Sequence, residues 1–234
     1  MTSKKKVMIL AGIIIVAIVW IVVFGVGKSW SQTKTGSQKS EESYEANAES
    51  TVEENLKKSL YQAPIYKTNE NVTQDDWSFK INEVEWTKTQ GDWPYPGKDW
   101  YQTDETGKLE DNKTLIKVNL TVERIAESED KKDEVFWLNS LQLQFLDNKG
   151  NDLFESTEVC SASGVDIKKK NSFETKVLHT GDCITTDIIY SVEDTTLKKS
   201  GYCFLDVNMT GMDASQLNPD EHCYIQIPIE DISK

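Results

Sequence analysis

Four cysteines, two histidines and one run of tryptophans, tyrosines and acids hold most of the chemistry this chain has to offer. Cys160, Cys183, Cys203 and Cys223 all fall in the C-terminal part, and their even number favours two disulfides in an oxidising exterior. Three pairings are open. Cys160–Cys183 with Cys203–Cys223 is the preferred one, because it ties a loop to a strand start and joins the two last strands. The thiols could also stay free. A zinc site would need His179 and His222, but there is no Cys-x-x-Cys. In addition, His222 and Cys223 are adjacent and should face opposite sides of a strand.

The second candidate is the stretch from Thr87 to Lys113. It holds Trp93, Tyr95, Trp100 and Tyr101, several glycines and prolines, and acids that include Asp92 and Asp99. Connections this long are uncommon unless they bind something or are disordered. Tryptophan and tyrosine are strong interface anchors, and their faces stack on sugar rings. These six residues are the expected binding site. The competing expectation is that the loop folds back and its aromatics cap one end of the domain. Trp77, Trp86 and Trp137 lie on or beside strand patterns and are expected in the core.

Other motifs come to little. Residues 127–134 form an acidic patch that reads as a solvated hairpin loop. Asp147 to Asp152 superficially resembles a calcium loop, but Lys149 stands at a ligand position and Gly150 comes too early. Residues 31–36 match two penicillin-binding-protein motifs by letter, yet they overlap within one polar segment. No zinc-protease, nucleophile-elbow or phosphate-loop motif occurs. No catalytic residue, cofactor or metal is expected.

The elements that must position these residues begin with a membrane span. Val7 to Val26 are apolar or small, and Lys4, Lys5 and Lys6 precede them. A helix over residues 7–27 is about 30 Å long, enough to cross a bilayer. Positive flanks stay cytoplasmic, so residues 1–6 should lie inside and the remainder outside. Cleavage as a signal peptide after Gly25-Val26-Gly27 is the rival reading. Lys4, Lys5, Lys6 and Lys28 belong to the flanks. They leave 22 basic against 39 acidic groups in the exported part, a formal charge of −17. Nucleic acid is an unsuitable partner for such a surface.

Residues 28–67 are polar and read as a low-complexity stalk. A short helix is expected within it over 51–60, from capping-box spacing at Ser50 and Glu53 and repeats at Val52, Leu56 and Leu60. From residue 68 the pattern turns to strands. Trp77, Phe79 and Ile81 alternate, and Val84 and Trp86 continue on shifted parity, so a bulge is expected near Asn82 or Glu83. Residues 116–122, 141–145, 173–177, 184–190, 202–206 and 223–229 alternate too. Asp147 to Gly150 reads as a hairpin turn. Pro228 suggests that the last strand lies at an edge. Seven or eight short strands without an amphipathic helix among them indicate an all-β, two-sheet sandwich over 68–234.

The stretches 77–81 (WSFKI), 115–122, 141–150 (LQLQFLDNKG) and 178–181 (LHTG) resemble the telokin-like, immunoglobulin-like extracellular domains of bacterial membrane-anchored surface proteins. The resemblance covers roughly residues 70–230. Its motifs are structural, and it implies an immunoglobulin-like fold without known enzymatic activity. This chain departs from the pattern in its long segment between the first two strands and in its cysteines. The expectation is a single-pass membrane protein, N-terminus cytoplasmic, holding a binding module outside the cell membrane. Its partner would be a protein at the cell surface, with cell-wall glycan as the alternative. An immunity or inhibitor protein acting on an exported toxin or enzyme is the other expectation.

Overall fold

The computed structural model describes residues 41–126, 135–155, 157–163, 173–210 and 212–229, with side chains from residue 50 onward. The expected membrane span, the acidic patch 127–134 and the motif 31–36 lie outside the described residues. Among those residues no helix is long and apolar enough to cross a membrane. The chain divides into two units, Met1–Ser43 and Tyr44–Lys234, and the second contains all the described strands.

The domain is a β-sandwich. One sheet has four strands in the order β1 (Ile65–Lys67), β11 (Cys223–Ile227), β10 (Ser200–Val207) and β6 (Leu141–Asp147). The other has five, in the order β2 (Val72–Gln74), β3 (Trp77–Thr87), β4 (Lys113–Arg124), β9 (Cys183–Glu193) and β7 (Val159–Ala162). A separate two-stranded pair joins β5 (Val135–Trp137) to β8 (Glu174–Val177). Among the described residues all strand pairings are antiparallel except β1 with β11.

The alternating residues meet between the two large sheets. Ile116, Val118, Leu120 and Val122 of β4 face Leu141, Leu143 and Phe145 of β6 and Cys203 and Leu205 of β10 within one buried cluster. Trp77 and Trp86 belong to it, as expected. The predicted bulge is present as a register shift between Ile81 and Glu83. It moves Val84 and Trp86 onto the parity that Phe79 and Ile81 leave.

Three expectations need correction. Trp137 is 45% exposed, because it ends the short strand β5 on the side opposite Phe136, which is the residue of that strand that enters the core. Strand β11 is internal, flanked by β1 and β10; Pro228 follows its last residue and so costs no ladder hydrogen bond. The preferred disulfides are not formed, and all four cysteines are free. Register explains this. Cys203 pairs with Ile227 and Cys223 with Val207, so the two are offset by four positions along the ladder. At about 3.3 Å per residue that exceeds the Cα separation a disulfide bridges. Cys160 lies beside Ile189 and Tyr190, while Cys183 starts the same strand β9 several residues away. Burial pushes the Cys160 and Cys223 thiols up to about 12, so they are poor nucleophiles.

The helix expected within the stalk is longer than predicted. α1 runs Glu41–Ser59, and Ser50 falls inside it, not at its start. The spacing of Leu56 and Leu60 nevertheless identifies its packed face. Both contact the outer side of the four-stranded sheet at Leu146, Phe204 and Tyr224. The turn after β6 receives the helix. Asn55 Nδ2 donates to Lys149 O at 2.9 Å, and Ser59 Oγ donates to Gly150 O at 2.9 Å. Gly150 has φ +78°, and a Cβ there would stand 3.0 Å from Leu56 N and Val52 O. Only glycine meets both demands. A second helix, α2 (Asp194–Lys199), links β9 to β10.

Candidate functional site

Two surfaces concentrate aromatic and acidic side chains, one on the outer face of each large sheet.

The first is the connection between β3 and β4, where the sequence places the site. It folds back onto the outer face of the five-stranded sheet, so it caps a face of the sandwich and not its end. Tyr101 is fully buried against Leu109, Leu115, Cys160 and Ile189, with Trp93 and Trp100 packed alongside. The sheet holds the loop by polar contacts as well. Lys113 Nζ donates to Trp100 O at 2.6 Å, and Ser161 Oγ donates to Pro94 O at 3.1 Å. Within the loop, Tyr95 Oη donates to Tyr101 O at 2.6 Å and the two rings meet edge to face. Lys117, paired with Glu85 at 2.6 Å, lies 5.3 Å over the Trp93 ring. Of the six residues expected to bind, Asp92, Tyr95 and Asp99 are exposed, Trp93 and Trp100 are half-buried, and Tyr101 is inaccessible. Of the aromatic residues of the expected site, Tyr101 is committed to packing, Trp93 and Trp100 in part, and Tyr95 stays 46% exposed.

The second surface is a groove of about 870 Å³ on the outer face of the four-stranded sheet, within the size range of ligand pockets. Helix α1 covers one end of this face, and the groove opens beside it. Strand β10 supplies Asp206, flanked in register by Tyr224 of β11 and Gln142 of β6. Tyr61, Trp137, Phe154 and Met212 stand around the groove at 37%, 45%, 90% and 51% exposure. Phe154 is held outward with φ +55°, its N–H donating to Asp152 Oδ1 at 2.7 Å. A left-handed backbone is unusual for a bulky residue and tends to mark functional segments.

The carboxylates in the groove differ in their partners. Asp152 accepts from Gln144 Nε2 at 3.0 Å. Asp213 accepts from the Ser215 hydroxyl and N–H, which hold its pKa below the usual range. Asp206 has neither kind of support. Its Oδ1 is buried without a hydrogen-bond partner, and burial lifts its pKa to about 7. His222 Nδ1 stands 4.0 Å away, too far for a hydrogen bond. Burial also lowers the His222 pKa, so the imidazole is neutral at pH 7. The two ring nitrogens of His222 and the Tyr224 hydroxyl are likewise buried and unpartnered. Native structures contain few such groups, and each calls for an account. Among the described residues no three His, Cys, Asp or Glu side chains are arranged to hold a metal ion.

The sequence carries one sign of this groove. Asp206 shares its strand face with Tyr202 and Phe204, a carboxylate where the pattern asks for another aromatic. The remaining parts come from segments scattered between residues 61 and 224.

No protein-family model matches the chain, and no curated protein matches it either. Two solved structures are similar in backbone. An uncharacterized β-sandwich protein from Clostridium difficile 630 is 12% identical, with TM-score 0.39, over 71% of this chain and 95% of that one. The yjhA protein from Bacillus subtilis is 15% identical, with TM-score 0.41, over 69% of this chain and 98% of that one. At these values neither carries a functional argument. The sandwich itself is established by the strand pairing above.

Proposed function

We propose that this chain is a membrane-anchored binding module that holds a telokin-like, immunoglobulin-like domain outside the cell membrane and has no catalytic role. The span over residues 7–27 would fix it in the bilayer, N-terminus inside. The observation that carries the binding reading is the open groove over β6, β10 and β11, with Phe154 90% exposed at its rim. A large aromatic held in solvent by a left-handed backbone has no packing role in the free protein, and aromatic anchors of this kind dominate interface energetics. The groove thus takes over the role that the sequence assigns to the loop Gly91 to Gly107. A surface protein is the expected partner, and an exported toxin or enzyme held in check would be one form of it.

The test is crosslinking of the full-length protein in cells, with mass spectrometry of what co-purifies. Phe154→Ala with Trp137→Ala should abolish recovery of the partner, whereas Trp93→Ala with Trp100→Ala should leave it. The reverse pattern would return the site to the loop. Amide and carboxylate side chains beside aromatic faces also suit a sugar. Recovery of wall fragments in place of a protein would favour that second reading.

A further inference from the structure

We propose that the groove seats the cationic head of a lysine or arginine side chain, presented by a basic polypeptide, against Asp206 and the Tyr224 hydroxyl. This rests on the groove being the binding surface.

Charge is the first argument. Asp152, Asp206 and Asp213 line the groove, and among the described residues no lysine or arginine does. The exported part as a whole carries a formal charge of −17, so a basic chain is drawn toward it. The second argument is the unsatisfied polar groups. Tyr224 is fully buried, lines the groove, and its Oη has no partner. Asp206 Oδ1 beside it also has none. An ammonium or guanidinium brings several donors and no acceptor, which matches two oxygens on register-paired residues that lack a donor. An acidic ligand would be repelled, and a neutral one would leave the carboxylate without a counter-charge. The third argument is the rim. Tyr61 and Trp137 are part-exposed aromatic rings beside these acids, and aromatic faces attract cations.

The arrangement makes binding depend on pH. On its own face of the sheet Asp206 meets His222 and Tyr224 from the β11 side and Tyr61 from the segment after α1, while Cys223 feels its charge from the core side of the sheet. Asp152 and Asp213 add negative charge around Tyr61. Among the described residues no fixed cation lies in the groove lining to hold Asp206 ionised. A bound cation favours the ionised form, so affinity must rise as pH increases through about 7. Protonation of His222 at lower pH acts in the same direction, since the imidazolium would compete for Asp206.

The experiment uses the full chain in nanodiscs of zwitterionic lipid and a fluorescent pentalysine peptide as the probe. Pentalysine should bind, and its affinity should rise about tenfold from pH 6 to pH 8, following the ionised fraction of Asp206. Asp206→Asn should weaken binding at least about tenfold, as loss of a buried charge partner does. Phe154→Ala, on an exposed side chain that folding does not need, should weaken it severalfold. Glu123→Gln removes the same charge from the opposite sheet and should change little. Equal binding by Asp206→Asn and the parent would overturn the proposal. So would tighter binding of spermidine, which would make the ligand a free polyamine, or binding of a neutral chito-oligosaccharide without pentalysine. If a partner still crosslinks through the groove while pentalysine fails, this inference falls and the binding module stands. If nothing crosslinks there, both fall.

Discussion

The outer faces of the two large sheets start from similar material and end differently. Each has tryptophan, tyrosine and aspartate within reach, yet one is sealed and the other open. On the five-stranded sheet, Leu115, Cys160 and Ile189 point outward, and the loop above them lays Tyr101 onto that apolar floor. On the four-stranded sheet the outward residues change along the strands. Leu146 and Phe204 form an apolar floor where α1 docks, and Gln142 and Asp206 follow beyond the reach of α1. The floor decides what becomes of the aromatics above it. Over apolar residues Tyr101 is buried and Trp93 and Trp100 are half-buried; beside a carboxylate and an amide, Trp137 and Phe154 stay in solvent.

The sharpest way to break this comparison is to exchange the expected roles of Tyr101 and Phe154. Tyr101→Ala should destabilise the domain by about 3–5 kcal/mol in urea denaturation, the usual range for emptying a buried aromatic site. Phe154→Ala should change stability by less than about 0.5 kcal/mol. A large loss at Phe154 would mean that the groove is a structural feature.

Asp206→Asn is next in size and tests the groove from the other side. The folded-state pKa of about 7 lies above the ordinary carboxylate value. The folded protein therefore holds that proton more tightly than the unfolded chain does. The resulting cost is absent below the unfolded pKa of about 4, grows through the interval, and is complete above about 7. The asparagine variant should be more stable than the parent by up to about 4 kcal/mol at pH 8 and equal to it near pH 3.5. Chemical denaturation across that range would read it. A variant that gains stability while losing ligand marks a side chain kept for binding. His222 has the opposite sign. Its lowered pKa withdraws stability as pH falls below about 6.5, so the comparison must be made variant against parent.

Gly150→Ala probes the covered end of the same sheet. The positive φ and the contacts at 3.0 Å with the α1 backbone should together cost about 2 kcal/mol. Faster hydrogen exchange over residues 50–59 should accompany the loss. Unchanged exchange there would mean that the helix is held elsewhere. The smallest effect is on the sealed face. Lys117→Met removes the cation over Trp93 and the pair with Glu85, and should cost about 0.5–1 kcal/mol.

Most of the sandwich was legible because its strands have one wet face. β4 and β10 alternate cleanly, and the parity change after Ile81 placed a bulge near Asn82 or Glu83, where the register shifts. β7 was missed for the opposite reason. All four of its residues are buried, since the core covers one face and the loop the other, and no alternation survives. β1 and β2 are three residues each, too short to show a period. The loop was recognised as special, but burial of Tyr101 depends on Cys160 and Ile189, which are distant in the chain. The groove was less legible still. Its members become neighbours only through the strand order β11-β10-β6, and an alternating pattern specifies faces without specifying neighbours. The cysteines teach the same lesson, since two thiols on adjacent strands can face one core and stand too far apart to join.

The lone parallel pairing, β1 with β11, bears on how the domain would carry force. Its three residue pairs run from Ile65 with Tyr224 to Lys67 with Gln226. Tension entering at the N-terminal side of β1 is directed along the strand axis, so these hydrogen bonds are loaded together in shear and not unzipped in turn. Tyr61 and Tyr224, on either side of that junction, both line the groove. A pull between α1 and a ligand in the groove would thus run through the helix end, β1 and β11. The five-stranded sheet and its sealed loop would stand outside the line of load.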